Sequence, residues 1–145
     1  MGNKVTRIKD HNQTSLILDI IHDCWFDIGD INYYPEESLL EIKFERELVC
    51  EGVLEGGGIF FKRVRIPTIE CLLRFYHVRN FVINDTEQVG RYDLTGIEYQ
   101  ADLKRLFINT GIPLDIMLEV EQFEVVVEET DRVIRTRTRC SLFGW

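Results

Sequence analysis

Ser15–Ile28 reads SLILDIIHDCWFDI, and it fits two secondary structures at once. Wound at about 100° per residue, Leu16, Ile17, Leu18, Ile20, Ile21, Cys24, Trp25 and Ile28 fill one arc, and Asp19, His22 and Asp23 fill the other. Taken with period two, Asp19, Asp23 and Asp27 alternate instead with apolar neighbours. Thr14 or Ser15 can cap a helix start, and Gly29 stands where a helix stops. These signals, with a length of 14 residues, select a helix. A helix here puts Trp25 against the core and leaves His22 in water.

Past residue 30 the apolar period becomes two. Ile31–Tyr34 and Leu39–Arg46 flank the turn PEES, and Leu40, Ile42 and Phe44 alternate with charged residues. EGGG at 55–58 interrupts the chain, Ile59–Ile66 resumes until Pro67, and Ile69–His77 follows with Ile69, Cys71, Leu73 and Phe75 on one face. Strands are also expected at 79–84, Tyr92–Tyr99, Leu103–Asn109 and 114–120, with the turn TGIP before the last. Near Gln122 the apolar phase slips by one residue, which suggests a bulge or bend. QFEVVVEE and RVIRTRTRC then read as a hairpin turning at Thr130-Asp131, with Gln122, Glu124 and Val126 opposite Arg139, Arg137 and Arg135.

The expected fold is mainly β (α+β). It is an antiparallel β-sandwich or partial barrel of about eight or nine strands with one N-terminal helix. Residues 1–13 read as a flexible lead-in and 14–145 as a single β-rich domain.

Composition bounds the function. The chain of 145 residues is 45% hydrophobic and 29% charged, ordinary for a globular domain, and its net charge is −8. Nucleic acid is disfavoured by that charge unless basic residues gather on one patch. No apolar run is long enough for a membrane span, and no signal-peptide core is present, so the cytoplasm is the expected location. The start MGNKVT fits a myristoylation pattern with Lys4, Arg7 and Lys9 behind it, but so short a pattern is weak. Cys24, Cys50, Cys71 and Cys140 are scattered, as buried thiols in a reducing compartment would be.

No catalytic motif survives inspection. In HDCWFD at 22–27, residues 22, 23 and 24 fan apart by about 100° each on a helix and adjacent side chains face opposite ways on a strand, which argues against a shared site. No cysteine or histidine spacing suits zinc, and neither a metal nor a cofactor is expected. EGVLEGGGIFFK has Gly58 where a phosphate loop starting at Gly52 needs lysine. The remaining candidates for binding are the stripe Arg135, Arg137 and Arg139, with His22 and His77. The stripe reads first as a solvated face with ion pairs, and second as a grip for a carboxylate. The expected role is a small non-catalytic binding or protein-interaction module, with a protein partner or self-association as a homodimer. The alternative is an enzyme or small-ligand-binding protein with a site around His22, His77 and the arginines.

Overall fold

The computed structural model describes residues 3–49, 53–57 and 61–142. Among them, eleven strands form one antiparallel sheet beside a single α-helix, α1 (Thr14–Ile21). The strands are β1 (Lys4–Ile8), β2 (Trp25–Asp27), β3 (Ile31–Tyr34), β4 (Leu39–Glu47), β5 (Val53–Gly57) and β6 (Phe61–Phe75). After these come β7 (Val78–Asn84), β8 (Arg91–Gln100), β9 (Arg105–Thr110), β10 (Asp115–Val120) and β11 (Val125–Leu142). Their order is β1-β11-β6-β4-β2-β8-β9-β10-β7, with β3 also beside β4 and β5 beside β6. The expected class therefore holds, and the strands exceed the eight or nine expected.

The sheet folds over on itself. One apolar cluster joins Val125 and Val127 of β11 to Leu118 and Val120 of β10, strands near opposite ends of that order. The bend lies at β8, which pairs with β2 through Arg91–Asp93 and with β9 from Leu94 onward. A register shift between Leu94 and Gly96 marks the change, and a bulge adds the local twist that such a bend needs. The far side is joined by side chains. The Tyr33 ring of β3 lies 4.9 Å from Phe81 of β7, and its hydroxyl donates to the Val78 carbonyl at 3.2 Å. The result is a partial barrel, with α1 burying Ile17, Ile20 and Ile21.

Four features differ from the sequence expectation. The helix stops at Ile21, because Asp23 adopts φ 64° and its N–H donates to Leu94 O at 2.8 Å. Trp25–Asp27 then pairs with Asp93–Arg91, so Trp25 is 39% exposed rather than buried, and Phe26 is the anchor. Period two wins over this stretch because β8 offers it a backbone partner. The start of the chain also differs, since Lys4–Ile8 pairs with β11 and buries Ile8.

Third, Pro67 does not end a strand. β6 runs through it, and its carbonyl accepts the Leu48 N–H at 2.9 Å. Proline is tolerated there because its missing donor faces the place where β4 gives way to β5. Last, the C-terminal hairpin does not form. β11 is one strand of 18 residues lying along β6, and Thr130-Asp131 falls within register shifts between Glu129 and Arg135. Thr130 is β-branched and poorly suited to the positive φ that a type I′ hairpin turn requires at both central residues. The phase slip near Gln122, expected as a bulge or bend, falls on the connection from β10 to β11.

Candidate functional site

A groove of about 420 Å³ opens where the 22–25 corner meets β4, β6 and β11. The corner supplies His22 and Trp25, β8 supplies Arg91, and β11 supplies Arg135 and Arg137. Strand alternation makes this possible. In β2 the even residue Phe26 faces the core, so Trp25 faces out beside Arg91, whose guanidinium lies 5.8 Å from the Trp25 ring centre.

Glu45 organises the charges. Arg135 donates two hydrogen bonds to its two carboxylate oxygens, both 2.7 Å, and Arg91 adds a third at 2.7 Å. The Arg135 bonds, helped by Arg91 and opposed by burial, hold the Glu45 carboxyl below its usual range. Arg137 donates through Nε to Glu47, two residues along β4. Since Arg135 stands opposite Thr68 and Arg137 opposite Ile66, both arginines reach across β6 to β4. Thr68 and Ile66 are buried beneath that crossing, as expected when long arginine stems lie over a strand. Arg46 sits deeper in the groove and pairs with Glu129 at 3.1 Å. Four arginines and four carboxylates line the groove, so it carries both signs in alternation.

Its thiol is inert. Cys24 donates to the Ile20 carbonyl at 3.3 Å, and burial pushes its pKa up to about 12. Burial likewise pushes the Cys71 thiol up to about 12. Neither forms the thiolate that nucleophilic chemistry needs at neutral pH. His22 is exposed, with Asp23 as its neighbour at 3.2 Å. Among the described residues, no group of three or more His, Cys, Asp or Glu is placed to hold a metal ion. No helix among them is long and apolar enough to cross a membrane.

The structure brings His22, Arg135 and Arg137 together and leaves His77 apart. His77 takes φ 59° at the turn between β6 and β7, with Nε2 2.9 Å from Glu124 Oε1. Glu124 also accepts from Arg7, and does not face Arg137 as the hairpin required. Burial raises the Glu124 carboxyl, but the His77 and Arg7 hydrogen bonds outweigh it and hold the group low. The side chain of Arg139 lies outside the described residues. Trp25, Arg91, Glu45 and Glu47 were not legible as site residues. The only signal for Trp25 was the period-two reading of 23–28, which turns it outward.

Comparison with protein-family models, with curated proteins and with solved structures returns no match in any of the three.

Proposed function

We propose that this chain is a non-catalytic protein-interaction module of the cytoplasm, with the Trp25–Arg135 groove as its recognition surface. One observation carries the reading: an exposed tryptophan lies beside guanidiniums that carboxylates already hold in fixed positions. Tryptophan and arginine are the residues that dominate binding energy at protein interfaces, and pre-ordered side chains lose less entropy on binding. Catalysis is the weaker reading. The groove pairs no nucleophile with a base, Glu45 is held ionised, and Cys24 is held protonated. The buried free thiols Cys24 and Cys71 suit a reducing compartment.

A small zwitterionic ligand is the second reading, favoured by alternating charges around a cavity of about 420 Å³. Partner capture and sizing on wild type, Trp25→Ala and Arg135→Glu/Arg137→Glu separate the two. Loss of one protein partner by both variants, with melting of Trp25→Ala little changed, supports the module. Capture unaffected by either variant removes the groove as the interface.

A further inference from the structure

β6 and β11 run on past the core. β4 accompanies β6 only from Thr68 to Phe75, and β1 accompanies β11 only from Val125 to Glu129. Beyond those limits β5, Phe61–Pro67 and residues 133–142 form a three-stranded antiparallel ribbon. None of its described side chains belongs to the core cluster. Among the described residues, no strand lies on the outer side of 133–142.

The register shows which backbone groups face that open side. The Pro67 carbonyl points toward Leu48, so Pro67 and Thr136 form a pair without mutual hydrogen bonds. The N–H and C=O of Thr136 therefore point away from β6, and period two sends those of Thr138 and Cys140 the same way. Charge is segregated here as well. Residues 53–57, 61–67 and 133–142 hold six of the 17 Lys and Arg but one of the 25 Asp and Glu. That is +5 on the ribbon, and −13 on the remainder of a chain whose net charge is −8.

We infer that the outer edge of β11 takes up an extended acidic segment of a partner protein as an added strand. This rests on the interaction-module reading and names the partner's chemistry. Main-chain hydrogen bonds to Thr136 and its alternates supply affinity, and the ribbon's net positive charge favours carboxylates on the added strand. A second copy does not fit. Pairing this edge with its own copy sets one net-positive ribbon against another. Nucleic acid fits less well than a peptide, since Glu45 and Glu47 share the stripe's face and the rest of the molecule repels a long phosphate chain.

The test measures fluorescence anisotropy with a labelled peptide of about ten residues that alternates glutamate and threonine. Binding that weakens with salt is expected, with a loss of about tenfold or more in Thr136→Pro and none in Thr136→Ala. The same loss is expected on wild-type protein when alternate peptide nitrogens are methylated, an arm that needs no variant to fold. Equal binding of the methylated peptide, or of a lysine–threonine peptide, overturns the proposal. So does tighter binding of an oligonucleotide of similar charge, or assembly of the protein with itself through this edge. If these arms fail while Trp25→Ala still loses its partner, the edge assignment falls and the module reading stands. If the peptide arms succeed and Trp25→Ala keeps its partner, the groove falls and the edge stands.

Discussion

Trp25 and Phe26 are adjacent aromatics with opposite fates, and strand alternation alone separates them. Phe26 is 1% exposed against Tyr92, whose ring centre is 6.0 Å away. Phe26→Ala is expected to cost about 3–5 kcal/mol, the usual range for emptying an aromatic site in a core. Trp25→Ala is expected to cost less than half as much, because much of its ring is already in water. Urea denaturation of the two variants checks this, and comparable losses would return Trp25 to the core. Gly111 is a tighter position. A Cβ there would run into the carboxylate of Asp93, which accepts the Ile112 N–H at 2.8 Å. Gly111→Ala is therefore expected to destabilise by about 1–3 kcal/mol through overcrowding and the strained hydrogen bond. An unchanged melting temperature would show that Asp93 can move aside without loss.

β1 tests how far local pattern can be trusted. Lys4–Ile8 is mostly polar, so it reads as a lead-in, yet its register sets Ile8 opposite Val125 and buries it to 1% exposure. Ile8→Ala is expected to cost about 2–4 kcal/mol and Val5→Ala, at an exposed position, less than about 0.5 kcal/mol. Equal stabilities of the two variants in urea would mean that β1 frays in solution. The strands from Ile31 to Val120 were largely legible, because Leu40, Ile42, Phe44 and their counterparts alternate cleanly over a half-buried sheet. What was not legible depended on distant partners. Residues 25–27 become a strand because Arg91–Asp93 pairs with their backbone. Residues 125–142 stay extended because β6, 15 residues long, pairs along their length. Of the site, alternation in RVIRTRTRC revealed the arginines, but their carboxylate partners lie some 90 residues earlier in the chain. No local spacing could connect them.

Linkage sets how the whole fold responds to pH, and the two ends of the range act through different groups. Glu45, Glu124 and Glu128 all have carboxyl pKa values held below the ordinary one in the folded chain. Arg135 is the main cause at Glu45 and Arg74 at Glu128, and at Glu124 the His77 and Arg7 bonds overcome burial. A depressed folded pKa stabilises fully above the unfolded value and is lost as pH falls through the folded one. Stability is thus expected to be flat from neutrality to about pH 5 and to fall below it, where unfolded carboxyls begin to bind protons first. Cys24 and Cys71 act at the other end. Burial moves each from 9.0 to about 12, so the unfolded thiols ionise earlier and stability falls as pH rises above 9. Urea midpoints measured from acid to alkaline pH should trace both limbs. Glu124→Gln is expected to cost about 1–3 kcal/mol at neutral pH, because charge-assisted hydrogen bonds to Arg7 and His77 are weakened. Its acid limb should also be shallower than that of wild type, since one depressed carboxylate is gone, while its alkaline limb is unchanged. A variant that loses stability equally at every pH would assign Glu124 a purely steric role. Retention of the full acid limb would place the linkage in the other carboxylates.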